Sequence, residues 1–227
     1  MDRLLAIVIN ELRHESDDGS VSRRHLELRE ALEEFCPFVE AVCYGVFVLP
    51  IRGPSRLLGG DDAVLREVEG LVARLTGHVP QLGVAEGLFS ALHAAHASEV
   101  VAVGESDEFR LSLPIETLLD GRTAVTARRL GLHTVGHFAR LSPARITERF
   151  SAQVLERHRV ARGESDGWSL FYDPSFFVRL RAVRGEEEVS VGQQSFFGER
   201  SDADRRALAA GHRVAQRLGP DGVLTAT

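Results

Sequence analysis

Apolar residues in this chain follow two rhythms, first strand-like and helical in alternation, then helical almost throughout. Leu4–Ile9 is an unbroken apolar run of the kind a buried strand carries. Leu26, Leu28, Ala31, Leu32 and Phe35 then recur with helical spacing, and Pro37 closes the segment. Val39–Pro50, rich in Val, Phe, Tyr and Cys, predicts a strand, and IRGPSRLLGG after it predicts a turn. Asp61 stands where it can cap a helix carrying Val64, Leu65, Val68, Leu71, Val72 and Leu75 on one face. Gln81–Ala85 predicts a strand, Leu88–Ala97 an Ala-rich helix and Val100–Val103 a further strand. The expected class is α/β in the α+β sense: a β-α-β-β-α-β, ferredoxin-like sheet with helices on one face.

Beyond Gly104 the rhythm is helical, with pieces expected near 105–119, 123–130, 134–141 and 143–161, punctuated by Gly121, Gly131 and Pro143. Gly163–Pro174 reads as a turn-rich linker. Phe176–Val183 alternates as a strand, Gly185–Gly192 is acidic and loop-like, and Asp202–Leu218 predicts a last helix. The expected division is therefore an α+β domain over 1–104, a helical domain over 105–163, and a tail of linker, strand and helix over 164–227. No internal repeat is evident.

Composition narrows the class. The 227 residues, 44% hydrophobic and 26% charged, suit a globular chain with its own core. No run of 18 apolar residues is present, so no membrane span is expected, and the first residues lack a signal-peptidase site. Cys36 and Cys43 make no disulfide framework and fit a reducing cytoplasm. Lys is absent and the net charge is −6, which excludes a polycationic nucleic-acid binder. The charge is uneven, however. Arg122–Arg162 holds nine arginines against Glu148 and Glu156, a local +7 set against −13 elsewhere.

Three blocks carry a resemblance: VEAVCYGVFVLP at Val39–Pro50, LGVAEGLFSALHAAHAS at Leu82–Ser98 and RRLGLHTVGHFARLS at Arg128–Ser142. In this order they resemble the palm and thumb of Y-family (translesion) DNA polymerases. The fold thus implied is a ferredoxin-like palm remnant followed by a small helix-hairpin-helix thumb and a short C-terminal strand/helix tail. Active members carry a Ser-Ile-Asp-Glu strand end whose acids hold two Mg²⁺ ions, because two-metal phosphoryl transfer needs converging carboxylates. Gly45 and Val46 stand at those positions here, with Val8 and Asn10 at the aspartates of the first strand and Leu88 at a triphosphate-binding Lys. The resemblance therefore implies a chain that is not an enzyme, without cofactor or metal, akin to the shortened, inactive ImuB-type branch of the family. VFVLPIRGPSRLLGG, the segment Pro114–Leu119 and LGPDGVLT strengthen the ImuB likeness.

The function so implied is a noncatalytic adaptor in bacterial DNA-damage repair, SOS mutagenesis and translesion synthesis. It would sit in the cytoplasm at the nucleoid. Its partners would be DNA, bound without sequence preference, the replicative sliding clamp, a translesion polymerase and a RecA-like mutasome partner. In the helix-hairpin-helix, the Gly131 turn lets two helices cross closely, and backbone amides there are expected to hold a phosphate. Arg128, Arg129, Arg140 and Arg145 would add salt-dependent attraction. Gln193-Gln194-Ser195-Phe196-Phe197 looks like a clamp-binding pentapeptide, with Gln193, Phe196 and Phe197 as anchors. Two alternatives stay open: an active minimal Y-family polymerase, and a stand-alone helix-hairpin-helix DNA-binding module. A plain ferredoxin-like domain and a helical bundle with a solvated arginine face are the bland counterparts. His93/His96 and His133/His137 lack a third ligand nearby, so no metal site is expected.

Overall fold

A computed structural model describes residues 2–14, 20–150 and 154–171, all of them within one compact unit. The class is mixed α+β. Four antiparallel strands, β1 (Arg3–Val8), β2 (Glu40–Cys43), β3 (Val46–Pro50) and β4 (Gln81–Glu86), lie in the order β2-β3-β1-β4. Helices α1 (Asn10–His14), α2 (Ser20–Phe35), α3 (Arg52–Leu58), α4 (Asp61–Thr76) and α5 (Leu88–Ala97) accompany them.

The strand expected over Val39–Pro50 is a hairpin. Gly45 adopts φ 68°, a left-handed value that glycine enters without strain, so the chain reverses between Cys43 and Val46. The reversal converts one expected strand into two and supplies the ββ step of the β-α-β-β-α-β order. Val100–Val103, expected as a strand, is only a bridge in which Val101 N donates to Val84 O at 2.9 Å. The IRGPSRLLGG segment contains α3, whose Pro54 sits in the first turn where a missing N–H is tolerated. Asp61 does not cap α4; its carboxylate accepts from Arg3 Nε at 2.7 Å and Ser55 Oγ at 2.6 Å, tying β1 to α3 and α4.

Helices cover both faces of the sheet, not one. Because strand side chains alternate, Leu5, Ile7 and Ile9 face Leu28 and Leu32 of α2 and Val64, Val68 and Val72 of α4. Ala6 and Val8 face the other way, onto Ala91, Ala94 and Ala95 of α5. The small residues there let α5 come very close. A Cβ on Gly83 of β4 would lie 1.9 Å from Ala95 N and 2.2 Å from the carbonyl carbon of Ala94.

After α5 come α6 (Ser106–Ser112), a 3₁₀ turn (Ile115–Thr117), α7 (Gly121–Arg129), α8 (Val135–Ala139), α9 (Pro143–Arg149), α10 (Val154–Ala161) and α11 (Trp168–Phe171). Helices expected as single pieces over 105–119 and 143–161 are each divided, the first at Leu113-Pro114. Ile115, Leu118, Ala127, Val135, Phe138, Ile146 and Val160 form the core of this part, and Phe89 of α5 joins it. Arg157 reinforces it by donating to the Leu118 carbonyl and pairing with Asp120 at 3.2 Å.

Gly83→Ala is expected to destabilise the protein by on the order of 1–3 kcal/mol or more, because the intruding methyl meets backbone that no rotamer change can clear. A urea midpoint equal to that of the wild type would contradict this packing.

Candidate functional site

The sheet end at Val8 brings together the first-block positions. Val8 pairs with Val46, and Ile9 N donates to Gly45 O at 2.8 Å, so β1 and the hairpin turn are adjacent. Val8 and Val46 are buried in the cluster that also holds Leu88. Asn10 Nδ2 donates to Gln81 Oε1 at 3.0 Å, fixing the amide across the end of β4. These residues do not fit a divalent cation: valines and a glycine offer no side-chain oxygen, and hard cations need several. Among the described residues no group of three His, Cys, Asp or Glu side chains could hold a metal ion.

His25 underpins the hairpin and was not singled out from sequence. It shares the inner face of α2 with Leu28 and Leu32, three and seven residues on, which is the cue that could have found it. Its Nδ1 accepts from Gly45 N at 3.3 Å, and its ring stacks on Phe47 at 4.4 Å and meets the Tyr44 ring edge-on at 5.6 Å. Burial, aided by the Arg29 charge, lowers its pKa to about 3, so the ring is neutral with Nδ1 as acceptor. In α5, His93 lies against Phe89 at 4.5 Å and is lowered to about 4, chiefly by burial.

On the helical part, Arg128, Arg129, Gly131, Arg140 and Arg145 are all exposed. Arg128 and Arg129 end α7, where the helix dipole favours cations. Arg128 pairs with Glu116 at 2.9 Å; Arg129, Arg140 and Arg145 make no ion pair among the described residues. The amides of Gly131 and Leu132 themselves bond within the chain. Gly131, at φ 80°, follows the carbonyl end of α7; its N donates to Arg128 O at 2.9 Å and Leu132 N to Ala127 O at 3.0 Å. Those two amides close the end of α7, and the turn sets the course of the chain from α7 to α8. The start of α8 is capped by Thr134, whose Oγ1 accepts from His137 N at 3.2 Å. His133 N donates to His137 Nδ1 at 3.3 Å, giving that His pair a structural role. Gln193, Phe196 and Phe197 lie outside the described residues.

The fold is shared with Y-family DNA polymerases. A DinB-family error-prone DNA polymerase from Sulfolobus solfataricus superimposes with a TM-score of 0.58 at 12% identity, over 73% of this chain and 67% of that one. A Dbh ternary complex gives 0.56 at 14% identity over 66% of this chain and 47% of that one. A Y-family polymerase chimera of Dbh and Dpo4 gives 0.52 at 15% identity, over 69% and 46%. The chain thus spans about half the length of two of these three. No family model matches it, and no curated protein does either.

These likenesses correct the expectation that the chain is not an enzyme. The structures that share its fold are DNA polymerases, one of them a post-insertion complex, and nothing in the likeness sets this chain apart as a non-enzyme. Val8 and Val46 are aliphatic and Gly45 has no side chain, which by itself does not exclude an activity. No helix among the described residues is long and apolar enough to cross a membrane.

Because His25 and His93 are held neutral in the fold and take up protons near pH 6.5 when unfolded, the unfolded state binds more protons below that pH. Stability is expected to fall as pH drops from 6.5 toward about 4 for His93 and about 3 for His25. Each group contributes a limiting slope of about 1.4 kcal/mol per pH unit. Denaturation between pH 7 and 5 checks this, with His25→Phe flattening the slope; an unchanged slope in that variant would place the proton uptake elsewhere.

Proposed function

We propose that the protein is a Y-family polymerase-like factor of DNA-damage repair and translesion synthesis that grips the DNA backbone through its helical thumb. The carrying observation is that Arg128 and Arg129 at the end of α7, Arg140 at the end of α8 and Arg145 in α9 are all exposed, on a fold shared with DNA polymerases. Arg129, Arg140 and Arg145 make no ion pair among the described residues, so their guanidiniums are available to phosphate oxygens. Contacts of that type position a protein on DNA without reading sequence. The finer kinship is with the ImuB-type branch, and it rests on the blocks at Val46–Gly60 and Pro114–Leu119. On this reading the protein works at the nucleoid in the cytoplasm, reaches the replicative sliding clamp through Gln193, Phe196 and Phe197, and has a translesion polymerase and a RecA-like protein as further partners.

Arg128→Glu with Arg129→Glu is expected to abolish retention of duplex DNA at low salt while leaving the circular dichroism spectrum unchanged. In the wild type, affinity falls with salt at a slope of about −0.9 per phosphate neutralised. Duplex affinity equal in the two proteins would move the interface off the end of α7.

Clamp docking calls for a separate measurement. Phe196→Ala with Phe197→Ala is expected to weaken binding to purified clamp by roughly two orders of magnitude, since each ring seated in an apolar pocket contributes about 1.5–3 kcal/mol. Clamp affinity indifferent to both substitutions would refute the pentapeptide.

A further inference from the structure

A groove of about 420 Å³ opens between α6, α8 and α10, lined by Arg110, Arg140, Arg162, His137, Thr134 and Asp107. Three arginines and one aspartate are thus among the lining residues. Asp107 is already held by Arg110 Nη1 at 2.7 Å. Arg110 is buried, and its Nε donates to Ala161 O at 3.2 Å, so the innermost cation is fixed in place. Gly163 packs over the same guanidinium: a Cβ there would come within 2.9 Å of Arg110 Nη2. Nearer solvent, Arg162 spends Nε on Glu164 at 2.6 Å and keeps its other donors. Arg140 has no ion pair among the described residues. His137 Nδ1 accepts from His133 N, which leaves Nε2 as the ring's donor, and the Thr134 hydroxyl, accepting from His137 N, retains its proton to give.

From this donor set we infer that the groove is a phosphate-binding site, with Arg140, Arg162, His137 and Thr134 as its contacts and Arg110 as its fixed floor. Guanidiniums match phosphate oxygens through paired N–H donors, and a phosphate presents oxygens to several walls at once, where a carboxylate presents two to one side. The groove is large enough for a phosphate together with part of the molecule that carries it. That carrier is either a nucleic-acid backbone or a small phosphorylated molecule. The inference stands beside the DNA-backbone reading and shares only Arg140 with it; Arg128, Arg129 and Arg145 do not line the groove.

The test uses the full chain and two arms. In the first, inorganic phosphate and pyrophosphate are titrated at constant ionic strength, with acetate as control, and the thermal midpoint is followed. Phosphate and pyrophosphate, but not acetate, are expected to raise it. Arg140→Ala with Arg162→Ala should weaken the apparent affinity by about tenfold or more, because two charge-assisted contacts are lost. Arg140→Lys with Arg162→Lys should recover part of it. In the second arm, phosphate response and duplex retention are both compared for Arg162→Ala/His137→Ala and for the Arg128/Arg129 glutamate pair. Loss of both phosphate response and duplex retention in the groove variant identifies the backbone as the source. Loss of the phosphate response alone identifies a small phosphorylated molecule. A phosphate response equal to that of acetate, or one undiminished in the alanine variant, overturns the site. Because the first arm contains no DNA, its failure is distinct from a failure of duplex binding.

Discussion

The approach of α5 to the sheet is the constraint on which the rest of the molecule hangs. At Gly83 the helix backbone occupies the space a side chain would take, and Ala6, Ala85, Ala91, Ala94 and Ala95 keep the remaining contact shallow. Helix–sheet packing of this kind fixes both rotation and distance, because any added methylene meets main chain. The consequence reaches the helices that follow. Phe89, on the far side of α5, enters the core formed by Ile115, Val135 and Phe138. One helix therefore seals the second face of the sheet and contributes a side chain to the neighbouring core.

The second-face packing also explains what occupies the end of the sheet. Val8 and Val46 point toward α5 and are buried with Leu88. A carboxylate at either place would have to be desolvated against aliphatic neighbours, at a cost of several kcal/mol without a counter-ion. The apolar character of the positions and the seating of α5 thus support each other. His25 closes the hairpin from the opposite face as a neutral acceptor to Gly45 N, so the turn is braced by a polar contact that burial keeps uncharged.

Periodicity made the sheet order and the main helices legible, and the places where it failed share a cause. The strand pattern of Val39–Pro50 runs through Gly45 without a break in hydrophobicity, so only the left-handed backbone at that glycine reveals two strands. Likewise α3 buries none of its residues, and a helix without an apolar face leaves no periodic mark between Arg52 and Leu58. The second covered face was hidden because small residues carry the contact: alanine and glycine do not stand out in a hydrophobic pattern, yet they allow the closest packing. At the Gly131 turn the residue types named the motif correctly enough to place two helices. The direction of the amides depends on which end of α7 the turn follows, and spacing alone does not contain that.

Charge then separates the parts of the chain. A net −6 opposes association with DNA only over distances at which the charges act together, and the Debye length at physiological salt is about 8 Å. Within that radius a phosphate meets the surface beside it, not the chain as a whole. Arg128 and Arg129 stand at the negative end of the α7 dipole, which lowers the cost of holding two like charges side by side. Arg110 goes further, buried only because Asp107 and the Ala161 carbonyl compensate it. A fold built around small residues on α5 thereby carries a cluster of cations on the helices beyond it, where electrostatic attraction is decided locally and burial of the sheet is undisturbed.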